Sequence, residues 1–124
     1  MDRKQGIPWS FTIEFDEDKA ENNGYRLDDL YDCVGRIVEP LGNVRTGRGS
    51  WRAKDASVNH SAQPVALCCL CEQDWVMRTV RSWVTYEGDQ KGEDYLRILR
   101  RHRPYLVCVE LAEKSSISTW MTSL

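Results

Sequence analysis

The sequence lacks any long apolar run, and none of its hydrophobic stretches approaches the roughly 20 residues of a membrane-spanning helix. No apolar segment typical of a secretory signal follows Met1. The formal net charge is only -2, which favours no particular class of charged partner. We therefore expect a cytoplasmic protein that does not associate with membranes.

The sequence also lacks the motifs of common catalytic and cofactor sites. It contains only two histidines, His60 and His102, and both stand in polar surroundings. A Gly-x-Ser-x-Gly elbow is absent. The segment GNVRTGRG at 42–49 matches neither a dinucleotide-binding nor a phosphate-binding loop. We expect no catalytic residues, no cofactor and no enzymatic activity.

The number and spacing of the cysteines also argue against disulfides and against a metal site. Five cysteines are an odd number, and Cys68 and Cys69 are adjacent. A zinc site usually combines a Cys pair on a tight turn with a second pair elsewhere. Here Cys68, Cys69 and Cys71 lie inside an apolar run. We expect reduced, buried thiols; a metal site that uses this cluster and a histidine is the alternative.

Two segments have clear periodicity, and the length of 124 residues suits a single domain over 1–124. Apolar and polar residues alternate over 9–15, which predicts a strand with one buried face. Apolar residues recur every three or four positions over 27–41, which predicts a helix that ends at Pro40 and Gly42. A polar, acidic loop is expected to join the two elements.

The segment Pro64–Val84 contains the most apolar part of the chain. Its first half, 65–71, is uncharged and short, which predicts a central strand covered on both faces. Its second half, 75–84, has helical spacing. We expect a polar connection over 56–63, before this strand, and an edge strand over 43–54.

The last third of the chain predicts one more helix and one more strand. Acids at 93–94 and bases at 100–103 match the dipole of a helix that spans these residues. The run YLVCVEL at 105–111 predicts the last strand. The tail over 113–124 has apolar residues at the spacing of a short amphipathic helix.

The resulting order is strand, helix, strand, strand, helical segment, strand. It predicts an α+β fold of ferredoxin-like (split βαβ) topology, an antiparallel sheet with helices packed on one face. The predicted core consists of the apolar residues on the buried side of these elements: Trp9, Phe11, Ile13, Phe15, Leu27, Leu30, Tyr31, Val34, Ile37, Val38, Leu67, Trp75, Val80, Trp83, Leu96, Leu99, Val107 and Val109.

Charge is unevenly placed along the chain: acids cluster over 14–32, and bases cluster over 45–54 and 97–103. Aromatic residues and arginine anchor many protein interfaces, and clustered charge accelerates encounter. We therefore predict a non-enzymatic protein-binding module, such as a small inhibitor, immunity or accessory protein. The predicted contact residues are Glu14, Asp16, Glu17, Asp18, Arg48, Trp51 and Arg52.

Nucleic-acid binding is the alternative function. Its candidate residues form a basic helix end: Arg97, Arg100, Arg101 and Arg103. The sequence contains no aromatic motif of sheet-based RNA readers, and its acidic first half would repel phosphate. We therefore rank nucleic acid below protein as the partner.

Self-association is a further expectation. A central strand that is apolar on both faces needs more cover than one layer of helices supplies, so we favour a homodimer. The alternative cover is the segment 117–124, folded back over the sheet.

Overall fold

The computed structural model describes residues 6–88 and 91–102. Its strands are β1 (Ser10–Phe15), β2 (Asn43–Gly47), β3 (Ser50–Ala53), β4 (Val80–Tyr86) and β5 (Glu93–Asp94). Its helices are α1 (Glu17–Asn22), α2 (Leu27–Val38), α3 (Asn59–Cys71), α4 (Asp74–Thr79) and α5 (Tyr95–His102). Two short 3-10 segments, Glu39–Leu41 and Ala56–Val58, follow α2 and precede α3.

The five strands form one sheet in the order β2-β3-β1-β4-β5, and every neighbouring pair is antiparallel. The central strand is β1, where Phe11 lies opposite Trp51 of β3 and Ile13 lies opposite Trp83 of β4. The α+β class and the antiparallel sheet are confirmed. The ferredoxin-like topology is not confirmed, because the observed order includes a fifth strand and several elements differ from the predicted ones.

One face of the sheet carries the core. Along β1, Phe11 and Ile13 are buried, whereas Thr12 is half-buried and Glu14 is exposed. Each described helix contributes a buried side chain to the same cluster as the β1 residues: Ala20, Leu30, Leu70, Val76 and Leu96. The helices that the structure describes therefore share one hydrophobic core with β1.

Most of the predicted core is buried as expected. The confirmed members are Phe11, Ile13, Phe15, Leu30, Tyr31, Val34, Val38, Val80, Trp83, Leu96 and Leu99. Those that are only half-buried are Trp9, Leu27, Ile37, Leu67 and Trp75. The remaining two, Val107 and Val109, lie outside the described residues.

The prediction of a strand over 65–71 is wrong, because these residues belong to α3. The inner face of α3 is formed by Asn59, Ala62, Gln63, Ala66 and Leu70. These positions have helical spacing, but most carry small or amide side chains rather than large apolar ones. The helical pattern is therefore invisible to a search for large apolar residues.

Three further predictions of secondary structure need correction. The acidic segment after β1 is not a loop but α1, and the side chain of Asp16 caps it by accepting a hydrogen bond from the Lys19 N–H at 3.0 Å. The segment 56–63 is not a connection, since it contains a 3-10 turn and the start of α3. The helix predicted over 75–84 stops at Thr79, and Val80–Tyr86 forms β4.

The other elements agree more closely with the sequence. Helix α2 begins at Leu27 as predicted, and Gly42 ends the following 3-10 segment with a φ of 107°. The edge strand predicted over 43–54 is a hairpin, β2–β3. Helix α5 starts at Tyr95 rather than Glu93, because Glu93–Asp94 forms β5. The strand predicted over 105–111 and the tail over 113–124 lie outside the described residues.

Candidate functional site

An apolar groove lies between α3 and α5, beside the start of β1 and the end of β4, and we call it the α3–α5 groove. Its volume is about 250 Å³. Its large lining side chains come from four different elements or segments: Trp9, Pro64, Leu67, Tyr86, Tyr95 and Ile98. The groove is therefore a product of the tertiary structure rather than of one local motif.

The outward face of α3 supplies the apolar rim of this groove. Helix α3 contacts the core through Leu70 and through small residues such as Ala62 and Ala66, whereas Leu67 is only half-buried. Val65 is 41% exposed, and Cys68 is exposed as well as lining the groove. The same arrangement that hides the helical pattern in the sequence thus creates an apolar surface.

The aromatic walls of the groove are held by contacts with the core and with α3. The ring of Tyr95 meets the buried Trp83 ring edge-on, with 4.7 Å between centroids. Trp9 packs edge-on against His60 at 4.6 Å, and the main-chain N–H of Trp9 donates to Asn59 Oδ1 at 2.9 Å. These contacts position both aromatic side chains independently of any partner.

The polar edge of the groove is acidic. Glu87 and Glu93 line it, and both are exposed. A ligand with an apolar centre and a flanking basic residue would match this combination of surfaces.

The structure brings together two charged clusters that the sequence separates. Arg45 of β2 forms an ion pair with Asp32 of α2 at 3.2 Å, and Arg48 forms one with Asp28. The guanidinium of Arg48 also lies 4.9 Å from the centroid of the Tyr31 ring. The acidic helix and the basic hairpin therefore neutralise each other in part, so they are not two free surfaces of opposite charge.

Trp51, a predicted contact residue, has no exposed surface. Its ring stacks on Phe11 with 5.8 Å between centroids, and its Nε1 donates to Glu39 Oε2 at 3.1 Å. Arg45 covers the ring from outside, 5.1 Å from its centroid. In this structure Trp51 is a core residue, and it offers no side-chain surface to a partner.

The other predicted contact residues lie on β1, on β3, at the start of α1 and in the turn between β2 and β3. Glu14 and Arg52 lie on β1 and β3; Glu14 accepts a hydrogen bond from Ser82 Oγ at 2.8 Å, and Arg52 donates to the carbonyl oxygen of Ala53 at 2.9 Å. The acids that precede or begin α1 lie together: Asp16, Glu17 and Asp18. Apart from the buried Trp51, these residues stay predicted contact residues.

The basic end of α5 is exposed, as the alternative function requires. Arg97, Arg100 and Arg101 have no carboxylate partner among residues 6–88 and 91–102, in contrast to the paired arginines of β2 and β4. Arg103 lies outside the described residues. Three guanidinium groups on one short helix, without a carboxylate partner in the described part of the chain, form a surface that attracts anions.

The cysteine cluster is distributed around α3. Cys71 is buried, Cys69 is half-buried and Cys68 is exposed, and the Cys71 thiol donates to the carbonyl oxygen of Cys68 at 3.3 Å. The prediction of buried thiols thus fails for Cys68. Within the described part of the chain, no group of three or more His, Cys, Asp or Glu side chains is arranged to hold a metal ion.

The groove itself was not predicted from the sequence. Pro64, Leu67 and Cys68 have the spacing of one helix face, and this spacing could have indicated the groove. It was overlooked because a strand was predicted over 65–71.

Scans against models of protein families and against curated proteins found no match to this chain. Among the helices that the structure describes, none combines the length and apolarity needed to cross a membrane.

Proposed function

We propose that this protein is a non-enzymatic protein-binding module, such as a small inhibitor, immunity or accessory protein, and that its partner docks an apolar segment in the α3–α5 groove. The observation that carries this proposal is the apolar lining of the groove, part of which is open to solvent. Among its lining residues, Pro64 and Cys68 are exposed, and Tyr86 is 36% exposed. Contiguous exposed apolar surface of this kind usually marks an interaction site.

The groove suits a side chain of a protein better than a separate small molecule. Its volume of about 250 Å³ lies below the roughly 300–1,000 Å³ of typical small-molecule sites. One or two large apolar side chains fill such a space, and anchors of this type supply most of the affinity in protein complexes.

The acidic edge refines the expected partner. Glu87 and Glu93 favour a segment in which a Lys or Arg flanks the apolar anchors. Glu17 and Asp18, which are exposed on α1, stay in the proposal as residues that steer a basic partner. Arg48 is a weaker candidate because Asp28 already pairs with it.

Nucleic-acid binding through Arg97, Arg100 and Arg101 is the second candidate. The absence of carboxylate partners within residues 6–88 and 91–102 favours it. Against it, Glu93 and Asp94 lie beside Arg97 and Arg101 around one hollow, where they would repel phosphate.

We further propose that the first four strands have ferredoxin-like topology. Strand β3 lies between β1 and β2, and β1 lies between β3 and β4. This strand order supports a split βαβ arrangement, with β5 as an additional edge strand next to β4. We also propose a cytoplasmic location, and the free thiols of Cys68 and Cys69 are compatible with it.

Capture from a lysate of the source organism, followed by titration of the purified partner, tests the function. Cys68→Glu places a charge in the groove without opening a core cavity, because Cys68 is exposed. Val44→Glu makes the corresponding change at an exposed residue outside the groove. We expect Cys68→Glu to weaken binding at least ~10-fold and Val44→Glu to leave it unchanged.

Nuclease treatment separates the two candidate functions. A stoichiometric protein partner that survives nuclease supports the first. Retention on DNA or RNA at about 0.15 M salt, lost when Arg100 and Arg101 are replaced by Ala, would instead establish the second.

A further inference from the structure

A second hollow, which we call the α5 hollow, lies on the surface of α5 and β5, next to the α3–α5 groove. Its volume is about 450 Å³. Its lining has an acidic end, a basic end and one apolar residue between them: Glu93, Asp94, Arg97, Ile98, Arg101 and His102. All of these except Ile98 are exposed.

The order of these side chains is self-complementary. Asp94 and Arg101 are separated by roughly 10 Å along the helix direction, on either side of Ile98. When two such surfaces meet in antiparallel orientation, the acidic end of each lies on the basic end of the other. A twofold axis between Arg97 and Ile98 places Asp94, at the start of the helix, level with Arg101.

We propose that the α5 hollow is the interface of a homodimer in which two copies of the chain pack their α5 helices antiparallel about this axis. Twofold interfaces require a surface that complements itself, and they close without forming a filament. Next to the axis, Ile98 packs against the aliphatic part of Arg97 of the other copy, and ion pairs between Asp94 and Arg101 form on both sides of the axis.

A second copy fits this hollow better than nucleic acid does. A phosphate backbone would pair with Arg97 and Arg101 but would meet repulsion from Glu93 and Asp94. The sequence favoured a homodimer because of a central strand predicted over 65–71, but these residues belong to α3. The present proposal has a different basis. It does not require a partner in the α3–α5 groove, although Glu93 and Ile98 line both surfaces.

The expected affinity is modest. An interface centred on one short helix falls near the low end of specific interfaces, for which a Kd of roughly micromolar order is typical. Sedimentation between about 1 and 200 µM therefore covers the transition from monomer to dimer.

Charge reversal at two positions tests the proposal. Arg101→Glu puts like charges together on both sides of the axis, and we expect it to weaken the dimer at least ~10-fold. Asp94→Lys should do the same. Mixed in equal amounts, the two variants should form a heterodimer of roughly the parent's affinity, since each then presents the charge that the other lacks.

Arg100→Glu is the matched control, because Arg100 is an exposed residue of α5 that does not line the hollow. It should dimerise like the parent. Circular dichroism establishes that each variant is folded, which matters for Asp94→Lys because Asp94 Oδ1 accepts a hydrogen bond from the Arg97 N–H at 3.3 Å.

Three results would overturn the proposal. In the first, the parent protein stays monomeric throughout the concentration range. In the second, the Arg101→Glu variant dimerises as the parent does. In the third, the mixture of the two variants stays monomeric although both variants fold. Retention of nucleic acid that Arg101→Glu abolishes, in a monomeric parent, would assign the arginines to phosphate instead.

Discussion

The hydroxyl of Tyr31 accepts a hydrogen bond from the main-chain N–H of Phe15 at 3.1 Å, and both groups are buried. The register of β1 against β4 shifts between Glu14 and Phe15. Such an irregularity leaves main-chain groups without their usual partner in the sheet. The Tyr31 side chain thus links α2 to the central strand where regular pairing ends.

Tyr31→Phe should destabilise the protein by about 1–3 kcal/mol, because it leaves a buried N–H group without an acceptor. Urea denaturation measures the change. Tyr25 is 40% exposed, so Tyr25→Phe serves as the control and should change stability by less than about 0.5 kcal/mol. Equal effects of the two substitutions would show that the Tyr31 hydroxyl has no structural role.

The amides of Asn43 and Gln63 join β2, α2 and α3. Gln63 Nε2 donates to Asn43 Oδ1 at 2.7 Å, and Asn43 Nδ2 donates to the carbonyl oxygens of Val38 and Ala62. Replacing either amide by Ala should cost about 1–3 kcal/mol of unfolding free energy. In a double-mutant cycle, the two changes should be coupled by at least ~0.5 kcal/mol. Additive effects would show that the two amides do not interact, and this would contradict the orientation of α3 that places Gln63 against Asn43.

Gly49 stands where the β2–β3 hairpin meets β1. Its carbonyl oxygen accepts a hydrogen bond from the Ile13 N–H at 2.8 Å, and a Cβ at this position would overlap the Ile13 carbonyl oxygen. Gly49→Ala should therefore lower the midpoint of thermal unfolding markedly. At Gly47 the nearest atom to an added Cβ is 3.6 Å away, so Gly47→Ala is the matched control. Similar midpoints for the two variants would contradict this packing.

Asp55 precedes α3 and caps the 3-10 turn. Hydrogen bonds from the hydroxyl and then the main-chain N–H of Ser57 lower the pKa of the Asp55 carboxyl below its ordinary value of 3.8. The associated stability is present above that ordinary value and is lost as the pH falls through the lower, folded-state pKa. Ser57→Ala should raise the pKa of Asp55 toward 3.8, as measured by an NMR titration; an unchanged pKa would exclude the hydroxyl as the main cause.

Large apolar side chains account for what the sequence predicted correctly. In β1 and α2, such residues repeat with the period of the element, and their burial follows. In α3 the buried positions carry Asn59, Ala62, Gln63 and Ala66, whereas the apolar Val65 points outward. Periodicity of hydrophobic residues therefore points to the wrong element there.

The end of α4 shows a different failure. Trp75, Val76, Val80 and Trp83 have helical spacing, yet the chain becomes extended at Val80, which has φ and ψ of -68° and 136°. Pairing with β1 determines this change, since Trp83 lies opposite Ile13. A contact between residues so distant in the chain overrides the local pattern.

The candidate site depends even more on tertiary structure. Trp9, Leu67 and Ile98 line one groove, although they belong to distant parts of the chain. The basic end of α5 was predicted from the sequence, because its charge and spacing are local features. The ion pairs of Arg45 and Arg48 with α2 were not predicted, because they depend on where the β2–β3 hairpin lies relative to α2.

The central claim is that a protein partner occupies the α3–α5 groove, and the Cys68 thiol reports on it most directly. Cys68 is exposed in the groove, whereas Cys33 lies on α2, outside the groove lining, and serves as an internal reference. The measurement is the rate of maleimide labelling at each cysteine, by peptide mass spectrometry, with and without saturating purified partner. Occupancy of the groove should slow labelling of Cys68 at least ~10-fold and leave Cys33 unchanged. Labelling of Cys68 at the same rate in the saturated complex would contradict the claim.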